Sequence, residues 1–404
     1  MKIYTTKANI VLMVMTIGLS MSSCIEPFVV ETVDFNSALV IEATITDENK
    51  NQEILVSRTF ALDTTGIYGE RGAHVSVTDT NGAVYDFEES EEGKYISNVS
   101  FAAQAGLGYS LSVTTVDGSV YSSDEVVTPQ PTQIDNLYAE RDFKDGEVNE
   151  GIFIYVDSED LTNSNEYYRY VYEETYKIIA PYWSPLDAYV ISRVVPDIRV
   201  GTFDREEDER ICYNTVTSKN VIQIEASNYN NNRINKFSIR FIDRDNTILA
   251  SRYSILVKQF VESRAAFNYY ETLQSLSDSE SSLYQVQTGF IEGNLHSVTN
   301  KNENVIGFFQ VSSSAEKRIF FEFEDYFPGE DPPSYDCELL TPQLKNIGGS
   351  EGYLIYGIDK DLFTFYNETE PPNVDTPFVM AYPNSCGDCT VLGSNVVPDF
   401  WVED

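Results

Sequence analysis

The groups in this 404-residue chain that could do chemistry are an excess of carboxylates, four cysteines in the second half, two histidines and an aromatic pair. There are 64 Asp and Glu, so neighbours such as Glu173-Glu174 and Glu206-Glu207 arise by chance. Adjacent residues of a strand point to opposite faces, so neither pair makes the two facing acids of a glycosidase. His74 and His296 are too few for a multi-histidine metal site or a histidine-dense active site. Asp243-Arg244-Asp245-Asn246 and Asp142-Phe143-Lys144-Asp145-Gly146 could form turns or calcium loops, but neither completes the twelve-residue pattern that ends in Glu. No Gly-x-Ser-x-Gly elbow, HExxH or phosphate loop occurs. Tyr182-Trp183 could stack on sugars or fill a partner's groove; equally, Trp183 could anchor its own segment. The residue chemistry therefore points to binding, with no catalytic residue, no metal ligand and no cofactor assigned.

Cys212, Cys337, Cys386 and Cys389 are an even set. In an exported chain they favour two structural disulfides, with three pairings open. Cys386-Gly387-Asp388-Cys389 has the spacing of a redox dithiol, but it lies in Pro- and Asn-rich sequence without the strand and helix such a site requires. A four-cysteine zinc site lacks a second cysteine beside Cys212. Export itself is read from residues 1–23. Lys2 and Lys7 form a short basic stretch before the apolar run Ile10–Met15, continued by Ile17 and Leu19, which is too short to cross a ~30 Å hydrocarbon core and suits a signal peptide. Met21-Ser22-Ser23-Cys24 resembles a lipobox, in which Cys24 becomes the acylated first residue. Acyl chains contribute ~0.8 kcal/mol per buried methylene and anchor without a spanning helix.

The formal charge of -37 comes from 27 Lys and Arg against the 64 acids; removing Lys2 and Lys7 with the signal leaves 25 against 64, or -39. Such a surface excludes nucleic-acid binding, which requires cations to neutralise phosphates. A hydrophobic fraction of 42% is nonetheless enough to build real cores.

These side chains must be positioned mainly by strands. After an extended tether (24–37), Leu39–Thr46 alternates apolar and polar residues, and further short strands follow to residue 128. Asn81-Gly82 and Asp117-Gly118 sit between strand pairs as tight hairpin turns. About seven short strands in this stretch predict an immunoglobulin-like β-sandwich over 38–128. Thr128-Pro129-Gln130-Pro131 reads as a linker, and 132–404 as a larger β-rich domain whose C-terminal segment is held by disulfides. Segment 180–210, with Pro181, Pro185 and its charge run, reads as a long surface loop. One amphipathic helix is expected, capped by Ser263, with Ala266, Phe267, Tyr270, Leu273 and Leu276 at helical spacing. Asp63-Thr64-Thr65 is similar to a bacterial O-glycosylation acceptor.

An ordered series of motifs adds a resemblance. Glu166-Tyr167-Tyr168-Arg169-Tyr170, Arg252–Gln259, Ala266-Phe267-Asn268-Tyr269-Tyr270, Gly293-Asn294-Leu295-His296, Val305-Ile306-Gly307-Phe308-Phe309, Lys317–Phe320, Cys386–Cys389 and Pro398–Trp401 run along the mature chain. Together with the lipobox, they resemble the Bacteroidota lipoprotein family known as domain of unknown function 4249. That resemblance brings no catalytic residues. It implies a lipid-anchored outer-membrane lipoprotein that accompanies a TonB-dependent receptor with a carboxypeptidase-like regulatory domain; display at the cell surface is the expected placement, with a periplasm-facing anchor the open alternative. The alternatives from other classes are a surface glycan-binding protein or hydrolase and a calcium-dependent adhesin.

Overall fold

Alternation decides the first strand. Leu39, Ile41, Ala43 and Ile45 of β1 (Leu39–Thr46) are buried, and Glu42 between them is exposed. The computed structural model describes residues 37–60, 68–144, 149–228, 232–278 and 291–403. The signal segment, Cys24, the tether up to residue 36 and Asp63-Thr64-Thr65 lie outside them.

β1 is followed by β2 (Glu53–Arg58), β3 (Tyr68–Gly69), β4 (His74–Asp79), β5 (Val84–Glu91), β6 (Lys94–Ser97), β7 (Gly108–Thr114), β8 (Val120–Ser123) and β9 (Val126–Val127). The β4–β5 turn works as its residues predict: Gly82 has φ 89°, and the Asp79 carboxylate accepts the Asn81 and Ala83 N–H groups at 2.9 and 2.8 Å. Beyond the linker come β10 (Ile134–Phe143), β11 (Glu150–Glu159), β12 (Tyr167–Ile179), β13 (Leu186–Val194), β14 (Asp197–Asp204), β15 (Ile211–Thr217), β16 (Ile222–Glu225), β17 (Arg233–Asp243) and β18 (Tyr253–Glu262). Helix α1 (Arg264–Asp278) precedes β19 (Leu295–Ser297), β20 (Val305–Ser312) and β21 (Ser314–Phe321). The chain ends through α2 (Phe323–Tyr326), β22 (Glu338–Leu340), α3 (Tyr353–Asp359), β23 (Thr364–Glu368) and β24 (Phe378–Tyr382).

The chain is mainly β, as its patterning predicts. Its first unit, however, is not confined to residues 38–128. One sheet runs β19-β8-β7-β4-β5-β6-β2-β1-β20, with β3 on β2 and β9 on β7. β20 lies parallel to β1 along its whole length, from Leu39↔Val305 to Thr46↔Ser312. Leu295, Val305, Phe309 and Val311 complete the same core as Ile41, Val75 and Tyr109. Where the sequence suggests two facing sheets of an immunoglobulin-like sandwich, these late strands produce one nearly closed sheet. Turn signals report neighbours in sequence; they carry no trace of a pairing partner so far along the chain.

Asn294 closes the remaining seam. Its Nδ2 donates to the Phe309 carbonyl and its Oδ1 accepts the Phe309 N–H, both at 2.8 Å, while its own carbonyl accepts the Asp124 N–H at 2.8 Å. A buried side-chain amide thus stands in for a missing rung of the ladder. Gly293 and Gly307 allow the close approach. A methyl on Gly293 would overlap the Gly307 carbonyl, and one on Gly307, whose φ is 128°, would overlap the Ile41 carbonyl.

The second unit stacks the sheet β10-β11-β17 on the sheet β15-β12-β18-β21, with Ile152, Ile154 and Val156 meeting Tyr168, Tyr170 and Val257 in its core. The third gathers the hairpin β13–β14, the sheet β22-β24-β23 and α3 around Leu354, Ile355, Phe363 and Met380. Segment 180–210 is therefore no surface loop: residues 186–204 form a hairpin. Its Ala188, Val190, Ile198 and Val200 alternate inward, a pattern blurred in the sequence by the apolar residues that stand between them on the outer face.

Both disulfides expected from the even cysteine count form: Cys212–Cys389 and Cys337–Cys386, with Cα separations of 5.6 and 5.9 Å. The two cysteines of the CxxC spacing each bond a different partner, so they make no redox dithiol. α1 starts at its expected cap, since Ser263 Oγ accepts the Ala266 N–H at 3.1 Å; the side chain of Leu276 lies outside the described residues.

Candidate functional site

All four elements that meet at the junction of the first two units, β12, β18, α1 and β20, carry residues of the motif series noted above. Tyr168 and Tyr170 of β12 turn into the second core, so Arg169 between them must face the other way. Its Nε donates to Glu262 Oε1 at 2.6 Å and its Nη2 to Gln310 Oε1 at 3.3 Å. The guanidinium carbon lies 4.9 Å from the Phe260 ring centre and 4.6 Å from that of Tyr270. Gln310 Nε2 in turn donates to Glu262 Oε1 at 3.4 Å. The Glu262 side chain is fully buried, and Oε2 has no hydrogen-bond partner. Burial pushes its carboxyl above the ordinary range, opposed by Arg169. The sequence marks Gln310 as a polar residue inside a largely apolar buried strand, whereas Glu262 ends a strand that also carries Lys258 and Gln259 and has no such signal.

Above this network lies a groove of about 490 Å³ between α1 and the outer face of β1 and β20. Tyr269, Tyr270 and Leu273 form one wall, and Val40, Ile306 and Phe308 the other. Tyr269 packs on Phe308 at 5.3 Å, and burial lifts its phenol to about 12. Arg169 reaches the groove already neutralised, and Glu42 is exposed at the rim. Such a surface can hold an apolar or aromatic group. It offers no nucleophile paired with a base.

Tyr182 and Trp183 are separated by the fold. Tyr182 meets Tyr366 edge to face at 5.3 Å, beside a more polar groove of about 620 Å³ lined by Asn367, Glu368 and Glu370. Trp183 packs on Ile178, Ala180 and the Cys212–Cys389 pair, and its indole N–H is buried without a partner. The neighbouring acids also part: Glu173 binds Arg318 at 3.1 Å, whereas Glu174 takes Arg240 and the Tyr253 hydroxyl, the latter at 2.7 Å. Asp243 Oδ1 accepts the Asp245 N–H and Asn246 caps a short turn at Ile248, so these side chains serve the local backbone. Asp145 and Gly146 of the other loop lie outside the described residues. Among the described residues no group of three or more His, Cys, Asp or Glu is placed to hold a metal ion.

A family model described as a domain of unknown function (DUF4249) matches residues 25–318, well over half of the chain. The chain belongs to the DUF4249 family. The matched span contains the Arg169–Glu262 pair, α1, the glycine seam and Gln310. It stops before the disulfide-bonded Cys337, Cys386 and Cys389 and before Trp401, which packs on Tyr213 and Phe320 at 4.9 and 5.7 Å. No curated protein matches this DUF4249 chain.

Proposed function

We propose that this chain is an outer-membrane lipoprotein, anchored through acyl chains on Cys24 and displayed at the cell surface. It acts without catalysis as an accessory or binding partner of a TonB-dependent transporter. The observation that carries the non-catalytic part is the state of its charged groups: arginines hold carboxylates in structural pairs. Arg141 binds Glu150, Arg244 binds Glu330 and Arg193 binds Asp359, and these arginines hold Glu330 and Asp359 below the usual carboxylate range. The aromatic groove likewise presents a guanidinium whose charge Glu262 has cancelled. The signal segment and the family resemblance support the membrane location and the partner.

The test is capture of the acylated protein from detergent-solubilised outer membranes. A TonB-dependent receptor should accompany it in near-stoichiometric yield; recovery of the lipoprotein alone would sink the proposal. The Tyr182–Tyr366 pair beside a groove of amide and carboxylate groups favours a second reading, a surface glycan-binding protein. A shift of the protein on polysaccharide-containing native gels, lost in Tyr366→Ala, is its signature.

A further inference from the structure

The β13–β14 hairpin has a filled back and a bare front. Its inward residues pack on the third core. On the other face stand Tyr189, Ile191, Val194 and Phe203, each 44–71% exposed. Tyr189, Ile191 and Phe203 are contiguous: Tyr189 pairs with Gly201, Asp187 with Phe203, and the Tyr189 and Phe203 rings lie 6.1 Å apart, while Val194 stands further along β13. A Cβ on Gly201 would sit 2.8 Å from Ile191 Cδ1, so the strip covers its own backbone floor. The hairpin is also braced. Arg193 binds Asp359 at 2.5 Å, and Lys345 Nζ donates to the Pro196 carbonyl at 2.9 Å. A held, solvent-facing row of aromatic and branched side chains is the form taken by an interaction surface.

Charge selects the occupant. The chain leaves the strip at Phe203 through Asp204, Glu206, Glu207 and Asp208, all exposed. The one cation in that run, Arg205, is occupied by Asp187 and Glu209. A second copy would bring the same acids against these, and an anionic lipid surface would be repelled in the same way. We propose that this face docks a protein partner that presents an apolar groove bordered by Lys or Arg. The inference rests on the transporter-accessory reading and names the surface that serves it.

The experiment captures full-length acylated protein from outer membranes, in wild type, in Tyr189→Ser/Ile191→Ser/Phe203→Ser, and in Glu206→Gln/Glu207→Gln/Asp208→Asn. The triple serine variant alters only exposed side chains and should keep the wild-type melting curve. It should lose receptor recovery about tenfold or more. The charge variant should lose less and should flatten the fall of recovery with salt. Wild-type recovery of the receptor by the triple variant overturns the docking face while leaving the function intact. A wild type that brings down no receptor overturns the function reading, and the docking face with it. Two further outcomes overturn the choice of occupant: flotation of unacylated wild type, but not the triple variant, with phosphatidylethanolamine–phosphatidylglycerol vesicles, or a dimer that the triple variant dissolves.

Discussion

The first and third units keep distant parts of the chain together by different means. In the nearly closed sheet the fastener is backbone: β20 pairs with β1, and the Asn294 amide supplies the bonds the seam lacks. In the C-terminal region the fastener is sulfur, with Cys389 tied to Cys212 and Cys386 to Cys337. The sheet surrounds a continuous core of aliphatic and aromatic side chains, so ladder and burial reinforce each other. The C-terminal strands are short, and segments such as 328–337 have no regular structure, so cross-links replace what a small core cannot supply. The contrast suggests a division in which closure by hydrogen bonds demands an exact backbone fit and closure by disulfides tolerates irregular sequence.

The sharpest way to break this comparison is Gly307→Ala. A methyl overlapping the Ile41 carbonyl at φ 128° should cost more than about 4 kcal/mol. Denaturant unfolding that matches wild type would show that the seam does not need its glycine. Next in size is Arg169→Met, which leaves Glu262 buried without its cation; about 3–5 kcal/mol should be lost, and Arg169→Met/Glu262→Leu should recover most of it. A single variant no less stable than the double would remove the ion pair from the account.

Cys212→Ser/Cys389→Ser should cost about 2–4 kcal/mol. Hydrogen exchange should rise in residues 337–403 while β1, β4 and β7 stay protected; equal loosening of both regions would erase the distinction between the two fasteners. The smallest effect is alkaline. The phenols of Tyr121 in the first unit and Tyr168 in the second are pushed up to about 12, chiefly by burial, against about 10 in the unfolded chain. Below the unfolded value both states are protonated. As pH rises further the unfolded chain releases protons first, so stability falls through the window up to the folded values. A melting temperature unchanged across that window, read beside tyrosinate absorbance, would contradict the burial of these rings.

Legibility followed sequence distance. The Asn81-Gly82 turn, the Ser263 cap and the alternation in β1 are local events, and local residues announce them. The even cysteine count announced two bonds but could not choose their partners. The groove was harder to read, because Arg169, Glu262, Tyr270 and Gln310 are spread over four elements and meet only in three dimensions. Hairpin 186–204 escaped for another reason: its outer face carries Tyr189, Ile191 and Phe203 where a solvated strand would carry polar residues. That blurs the period of two on which strand recognition depends. The feature that hid the hairpin in the sequence is the same bare face that makes it a docking surface.

The pairing of β1 with β20 also decides when and how the molecule can be divided. Synthesis delivers residues 39–46 long before residues 305–312, and until the later stretch appears the early one has an unpaired edge. Everything from the linker through α1 is, topologically, an insertion inside the first unit. A fragment ended at Pro131 would lack Leu295, Val305, Phe309 and Val311 from its core, so the natural place to cut this chain by sequence is a place where it cannot be cut. Any shortened version meant to fold must carry residues 293–312 back to the beginning.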